Sequence, residues 1–387
     1  MKQLCGLRTK KTLIKAKWCL IICVTAIVVL GSIASALAVP SIKITKLSPY
    51  GDLSGTVEGT VSGVNYSDYY LAAYIKVDEA WWTKPYLLTP RCTINLSNGT
   101  FVCDITTGGC DIYATAIALQ LMPIDKDPIS CFPCLAKPKN PAAVAFANTN
   151  RPYPRTLAFS GYKWRVKKAP DCKLGPGGNY FSDASNDIWV DGKGLHLRIS
   201  KDPIEPDKWY SSEVVLQQSL GYGTYIFHTN SRVDILDPNI VAGLYTWDGQ
   251  IYYPSHRELD IEFARWGNSA EPTNAQFVVQ PCSQCPGCAN CSRYSIDLTD
   301  KNKYITTYMI WAPNSVEFRA YKGQYWDDNP PESALIHKWT KNGSDVPPPS
   351  KENIRLNFWL FKGSAPVSGQ NSELIVENFV FRPLCAP

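Results

Sequence analysis

Short runs of strand-forming residues, separated by turn residues, constrain the fold of this chain more than any other feature of its sequence. Val, Ile, Tyr and Phe recur in short stretches between clusters of Gly, Pro, Asn and Asp, and the 387 residues include 29 Pro and 25 Gly. No stretch keeps helical periodicity over several turns. The sequence therefore predicts an all-β protein, and a hydrophobic content of 45% allows a large core.

The spacing of these runs divides the chain at a proline-containing stretch. Candidate strands over 55–61, 69–77 and 113–121 suit a small N-terminal β-sandwich over 41–133, to which we assign no function. Residues 134–156 suit an extended linker. The denser alternation that follows predicts a concanavalin-like β-sandwich, or jelly roll, over 157–387. One sheet of such a fold commonly curves, and its concave face can hold a long polymer.

The first 38 residues predict export. Basic residues precede an uncharged apolar run from Trp18 to Ala38, which ends in a small-residue pattern that suits signal peptidase. We therefore expect a secreted, extracellular protein. The run is also long enough to span a bilayer, so a type II membrane anchor with the rest of the chain outside is the alternative. The remaining chain is nearly neutral, which argues against nucleic acid as a partner.

Cysteines and glycosylation motifs fit an exported protein. Disulfides persist in such a compartment. The spacing C-x-x-C-x-x-C-x-x-C would indicate zinc or an iron–sulfur cluster in a cytosolic chain, whereas after export it favours a small disulfide-stapled loop. The four cysteines are Cys282, Cys285, Cys288 and Cys291. Motifs for N-glycosylation start at Asn65, Asn95, Asn98, Asn290 and Asn342.

Two tryptophans in the N-terminal part have two interpretations. Trp81 and Trp82 are adjacent in the sequence. They suit either a platform on which a sugar ring stacks or the core and rim packing of a small domain.

Within HRELDIEFARWGN, positions 256–268, three acidic residues alternate with three apolar ones. The acids are Glu258, Asp260 and Glu262. Period two predicts a strand that sends the apolar side chains to the core and all three carboxyls to the opposite face. Like charges along one face of a strand destabilise it, so the pattern indicates a function. The alternatives are an acidic edge strand or a carboxylate cage for calcium.

Paired carboxyls suit the cleavage of a glycosidic bond with retention of configuration. One carboxylate attacks the anomeric carbon, and a second carboxyl, protonated at the start, donates its proton to the leaving oxygen. Crowding three acids raises the pKa of at least one of them. Residues four apart on an extended strand have Cα atoms about 13 Å apart, whereas retention needs carboxyls about 5 Å apart. The two glutamate side chains must therefore lean towards each other.

The sequence resembles glycoside hydrolase family 16, whose signature is E-x-D-x-E, over about residues 161–383. Five further segments follow the family's order: SSEVVLQQSLGYGTYIF from Ser211, SRVDIL from Ser231, QFVVQP from Gln276, YMIWAPNSVEFRAYKG from Tyr308 and IRLNFWLF from Ile354. The resemblance implies that Glu258 is the nucleophile, Asp260 the assisting acid and Glu262 the acid/base. It also implies candidate substrate-binding residues, namely Glu213, Trp247, Trp266, Gln276, Gln280 and Asn179. For the tryptophans ordinary packing is the alternative, and for Asn179 a plain turn.

This resemblance implies a retaining endo-glycosidase that hydrolyses a polysaccharide. The single residue between Asp260 and Glu262 is typical of the lichenase-like and xyloglucan-active branches, which favours a β-glucan as substrate. A transglycosylase on the same substrates and a non-catalytic polysaccharide-binding or wall-associated protein are the alternatives. We expect a monomer with no cofactor and no catalytic metal, and calcium only as a structural ion.

Overall fold

Alternation of apolar and polar residues produces a protein built almost wholly of strands. The computed structural model describes residues 38–249, 255–282, 289–326 and 329–384. These residues form strands β1 (Ser41–Leu47), β2 (Thr56–Ser62), β3 (Tyr69–Val77), β4 (Ala80–Lys84), β5 (Thr100–Asp104), β6 (Ala116–Pro123), β7 (Ala145–Asn150), β8 (Thr156–Phe159), β9 (Tyr162–Val166), β10 (Ala169–Leu174), β11 (Asn179–Phe181), β12 (Ile188–Asp191), β13 (Gly194–Lys201), β14 (Trp209–Leu216), β15 (Gly223–Asn230), β16 (Ile240–Trp247), β17 (Leu259–Ala264), β18 (Ala275–Val279), β19 (Cys291–Tyr294), β20 (Tyr304–Ala312), β21 (Ser315–Lys322), β22 (Leu335–Asn342), β23 (Asn353–Leu360) and β24 (Ser372–Pro383). Short 3-10 turns occupy Tyr66–Asp68, Asp111–Tyr113, Val233–Ile235, Ser255–Arg257, Glu332–Ala334 and Phe361–Gly363.

Two antiparallel sheets face each other in the C-terminal part. The first has the order β8-β9-β14-β23-β16-β17-β18-β19. The second has the order β12-β13-β24-β15-β20-β21-β22. The predicted all-β class and β-sandwich are therefore confirmed. The segment from Ser231, which resembles an inner strand of the family, contains a 3-10 turn at Val233–Ile235 instead.

The hydrophobic core lies between these two sheets and fixes the orientation of β17. Leu259, Ile261 and Phe263 are fully buried in it, together with side chains of the opposite sheet such as Phe227 and Met309. Burial of each such side chain contributes roughly 1.5–3 kcal/mol. Because successive residues of a strand point to opposite faces, the acidic residues between them must face away from this core.

The N-terminal part contains a three-stranded sheet, β1-β2-β5, and a four-stranded sheet, β4-β3-β6-β7. The strands predicted over 55–61, 69–77 and 113–121 correspond to β2, β3 and β6. The prediction of an extended linker over 134–156 is wrong, because this segment contains β7. Strand β7 pairs with β6 from Ala116↔Asn150 to Leu121↔Ala145. The prolines lie outside β7, as expected because proline cannot donate to the hydrogen-bond ladder of a sheet.

The N-terminal sheets share a core with strands that follow the linker segment. Cys172 and Leu174 of β10 and Phe181 of β11 are buried with Leu71 and Ile117 of the N-terminal sheets. A disulfide joins Cys110 to Cys172 across the same contact. Residues from Ala38 onwards accordingly form one compact unit. Further disulfides join Cys92 to Cys103 and Cys131 to Cys134.

Some of the sequence predictions concern residues outside the described ones. Nearly all of the predicted export segment, 1–37, is among these, as are Cys285, Cys288 and Cys385. Within the described part, no helix is long and apolar enough to cross a membrane.

The Cys110–Cys172 disulfide should stabilise the protein far more than the Cys131–Cys134 disulfide. The two bonds span 62 and 3 residues, and loop closure predicts losses of about 4 and about 2 kcal/mol respectively when each is removed. Paired Cys→Ala variants of each bond, unfolded in denaturant, check this. Equal losses of unfolding free energy would contradict it.

Candidate active site

Strand β17 carries two of the three acids on the face opposite the core. Asp260 pairs with Tyr245 of β16 and Val278 of β18, and Glu262 pairs with Gly243 and Gln276 of the same two strands. The register between β17 and β18 is continuous. Both carboxyls therefore project from the middle of the first sheet.

Glu258 lies just before β17, which corrects the prediction that one strand carries all three acids. The preceding turn, Ser255–Arg257, has φ values of +39°, +58° and +54°. Such positive φ values are uncommon outside glycine. The carbonyl of Glu258 still accepts the N–H of Gln280 over 3.1 Å. Glu258 thus stays beside β18 while the chain enters β17 through a sharp turn.

The three acids lie where two cavities meet. The narrower cavity, about 150 Å³, is lined by all three acids with Tyr245 and Trp247 from β16. Alternate residues of β23 line it as well, namely Arg355, Asn357 and Trp359. The wider cavity, about 660 Å³, extends over β18 and β19 and is lined by Glu258 and Glu262. Together the two cavities form a groove across the first sheet.

The carboxyls of Glu258 and Asp260 lie close enough to change each other's pKa. Burial, and next the charge of a neighbouring glutamate, raises the pKa of each carboxyl well above its usual range. The hydrogen bond between the two carboxyls raises the pKa of Asp260 and lowers that of Glu258. The hydrogen bond therefore favours a proton on Asp260 over a proton on Glu258. Gln280 Nε2 donates to Asp260 Oδ2 over 3.3 Å.

Glu262 is suited to hold a proton near neutral pH. Burial raises the pKa of Glu262 to about 7, against the opposing effects of Gln276 and Arg293. Gln276 Nε2 donates to Glu262 Oε2 over 2.7 Å, and Arg293 Nε donates to Gln276 Oε1 over 3.1 Å. These bonds fix the orientation of the carboxyl. The site thus contains one acid that protonates near pH 7 beside a hydrogen-bonded pair.

Four of the six predicted substrate-binding residues line the groove. Trp247 lines the narrow cavity and stacks on His256 with 4.0 Å between ring centroids. Trp266, Gln276 and Gln280 line the wide cavity. Trp266 also packs edge-on against Trp359, with centroids 6.2 Å apart.

The other two predicted substrate-binding residues are corrections, because both are buried and neither lines the two cavities of the groove. Glu213 is fully buried, accepts Arg355 Nη1 over 3.2 Å and lies 3.6 Å from Lys167 Nζ. Asn179 Nδ2 donates to the carbonyls of Pro176 and Leu360, both over 2.8 Å. Its Oδ1 accepts the Ser211 hydroxyl over 3.0 Å. The Glu213 carboxylate therefore orients Arg355, and the Asn179 side chain links the backbone at Pro176 to the backbone at Leu360.

Sequence reasoning missed several residues that line the narrow cavity. Arg355 and Asn357 lie at alternate positions of β23, so the period-two pattern of IRLNFWL could have indicated them. Asp78 and Glu79, from the turn between β3 and β4, also line the cavity. No sequence signal connects this turn to the acids.

The described ends of the cysteine cluster lie beside the groove. Cys282 and Cys291 both line the wide cavity. Within the described ranges, no three His, Cys, Asp or Glu side chains are grouped so that they could hold a metal ion.

Comparison with known proteins gives similarity at the level of fold. No protein-family model matches the sequence, and no curated protein matches it. Solved structures similar to this chain include a prokaryotic β-1,3-1,4-glucanase (lichenase) derived from a mouse hindgut metagenome, with 18% identity over 57% of this chain and 93% of that chain and a TM-score of 0.41. A Bacillus licheniformis β-glucanase has 19% identity over 57% and 92%, with a TM-score of 0.40. A Mycobacterium tuberculosis protein described as an immunostimulatory antigen and pseudo β-1,3-glucanase has 17% identity over 56% and 89%, with a TM-score of 0.40.

The charge state of Glu262 should make stability depend on pH. Its pKa rises from 4.5 in the unfolded chain to about 7 in the folded one, so the folded protein binds more protons between these values. The resulting contribution to stability is complete below pH 4.5 and is lost as the pH rises through 7. We expect Glu262→Gln to lose less stability than the wild type between about pH 5 and about pH 8, measured by denaturant unfolding.

The matched control for this measurement is Glu317→Gln, because Glu317 lies on β21 of the opposite sheet and pairs with Arg319 and Lys338. A pH dependence of Glu262→Gln that parallels the wild type would contradict the assignment of this titration to Glu262.

Proposed function

We propose that this protein is a retaining glycoside hydrolase that cleaves a polysaccharide, and that its substrate is a β-glucan. The observation that carries the proposal is the row of three carboxyls in a groove, with Glu262 protonating near pH 7 beside a hydrogen-bonded Glu258–Asp260 pair. Retention requires one ionised and one protonated carboxyl at the same bond. This site brings the Glu258 and Glu262 carboxyls into one groove, and the hydrogen bond from Asp260 favours the ionised form of Glu258.

Glu258 is the nucleophile of the proposed reaction. Its carboxylate attacks the anomeric carbon while the bond from that carbon to the leaving oxygen breaks, and Glu262 gives its proton to that oxygen. Water then attacks the covalent intermediate, Glu262 takes a proton from the water, and the bond to Glu258 breaks. Both carboxyls return to their starting states, so the reaction consumes one water for each bond cleaved.

Asp260 tunes and orients the nucleophile. By donating a hydrogen bond to Glu258, it opposes the rise that burial causes in the pKa of Glu258, and it holds the carboxylate in one orientation. Trp247 and Trp266 offer flat apolar surfaces on which sugar rings can stack. The substrate class rests on the single residue between Asp260 and Glu262, as in the lichenase-like and xyloglucan-active members that the motif resembles.

We further propose that the protein is exported. Three disulfides within the described residues suit an oxidising compartment. The glycosylation motifs at Asn65, Asn95, Asn98 and Asn342 lie at exposed positions, which an external route would require.

Azide should distinguish the roles of the two glutamates. Release of reducing sugar from a panel of β-glucans measures the activity, and we expect Glu258→Gly and Glu262→Gly each to lose a factor of roughly 10²–10⁴ or more. Azide should restore Glu258→Gly to give a glycosyl azide of inverted configuration, because azide replaces the nucleophile. It should restore Glu262→Gly with retained configuration, because it replaces the water.

The control for the rescue is Glu317→Gln, which should keep wild-type activity because Glu317 lies on the opposite sheet. Rescue with the two configurations exchanged would reverse the assigned roles. A wild-type protein inactive on every polymer would favour a binding protein.

Asp260→Asn should retain more activity than Asp260→Ala. An asparagine amide can still donate a hydrogen bond to Glu258, whereas alanine leaves the carboxylate without its donor. We expect the acidic limb of the pH–rate profile to move in both variants, since Asp260 and Glu258 titrate together. Equal activities of the two variants, with unmoved limbs, would remove Asp260 from the mechanism.

A further inference from the structure

The turn between β3 and β4 reaches the narrow cavity from the N-terminal sheet. Val77 pairs with Ala80, so Asp78 and Glu79 form the whole connection. Both residues line the cavity that contains the three acids. Asp78 has a φ of +54°, a conformation that aspartate tolerates better than most residues. The N-terminal part thus contributes side chains to the site of the C-terminal sandwich.

Several contacts hold this turn in place. The Asp78 carboxylate accepts the N–H of Gly175 over 2.8 Å. Lys76 Nζ donates to the carbonyl of Gly249 and lies 3.6 Å from Glu79 Oε2. The Cys110–Cys172 disulfide links the same two parts of the chain. The turn is accordingly a fixed part of the groove wall.

The turn separates the groove from another cavity. On its far side lies a cavity of about 530 Å³, lined by Asp78 and Glu79 and by Trp82 and Phe132 of the N-terminal part. On its near side the groove measures only about 150 Å³, against about 660 Å³ beyond the acids. A chain in the groove can therefore extend through the wide cavity, whereas the narrow cavity is bordered by the turn.

The narrow cavity is lined by residues with buried polar atoms that have no hydrogen-bond partner within the described structure. They comprise two acceptors, Glu79 Oε2 and Asn357 Oδ1, and two donors, Trp247 Nε1 and Arg355 Nε. All four residues line the narrow cavity. Buried polar atoms are normally satisfied. Hydroxyl groups donate and accept, so a sugar residue can satisfy both kinds of atom at once.

We propose that the Asp78–Glu79 turn ends the substrate groove, so that the enzyme binds one end of a glucan chain in the narrow cavity and cleaves at a fixed distance from that end. This inference rests on the proposed function, and it replaces the expectation that the enzyme cleaves internal bonds at random. Glu79, Trp247, Arg355 and Asn357 bind the hydroxyls of the terminal sugars, and Glu79 is a specificity-determining residue supplied by the N-terminal part.

Oligosaccharides blocked at one end test this directly. Two versions of one β-glucan oligosaccharide are needed, one with a bulky group on the reducing end and one with a bulky group on the non-reducing end. The wild type should cleave one version at nearly the rate of the unmodified oligosaccharide and the other at least roughly tenfold more slowly. It should also release a product of one length from the polymer, with a slow fall in viscosity per reducing end formed.

Two variants separate the effect of the volume of the turn from the effect of the Glu79 charge. Asp78→Gly with Glu79→Gly removes both side chains from the turn, and we expect it to cleave the previously resistant version and to lower viscosity faster. Glu79→Gln keeps the volume of the turn, so it should still discriminate between the two versions. Unfolding curves establish that both variants are folded. If the double variant does not fold, the wild-type comparison decides the proposal alone.

The outcomes distinguish this inference from the proposed function. A wild type that cleaves both blocked versions equally, with a mixture of product lengths, overturns the end-binding proposal and leaves the hydrolase standing. A wild type that is inactive while the double variant hydrolyses glucan also overturns it, because the turn would then inhibit the site. Inactivity of every form on every glucan removes the proposed function itself.

Discussion

The burial of three carboxyls on one face of a strand segment is the constraint on which the rest of the structure depends. Like charges so close together oppose folding, and the apolar side chains of β17 offset this by packing between the two sheets. The strand cannot turn over without moving all of them. Alternation therefore fixes the orientation of the acids, and their burial close together raises their pKa values.

Because of this constraint, the three acids differ in their hydrogen bonds and in the causes of their pKa shifts. The Glu258–Asp260 hydrogen bond favours a proton on Asp260 and opposes the effect of burial on the pKa of Glu258, which suits Glu258 to its proposed role as nucleophile. Glu262 is oriented by the hydrogen bond from Gln276, and burial raises its pKa to about 7. Around this row the groove is asymmetric. Strands β18 and β19 leave a wide cavity on one side, whereas the N-terminal turn narrows the other.

Periodicity made much of this predictable. The alternation in 258–263 predicted both the strand and the faces of its residues, and β3 begins and ends at the predicted positions 69 and 77. The prediction for 134–156 failed because prolines on both sides of β7 looked like a linker, although the residues between them pair with β6. The predictions for Asn179 and Glu213 were wrong because a sequence motif does not show whether a side chain is buried. The contribution of Asp78 and Glu79 depends on contacts far apart in the sequence, which no local pattern records.

The most direct test of the account is the configuration of the sugar first released from a β-glucan, followed by proton NMR before mutarotation. A carboxylate nucleophile with a second carboxyl as acid/base requires two displacements, so the new reducing end must first appear as the β-anomer. A first product of α configuration would show a single displacement by water, and Glu258 could not then be the nucleophile.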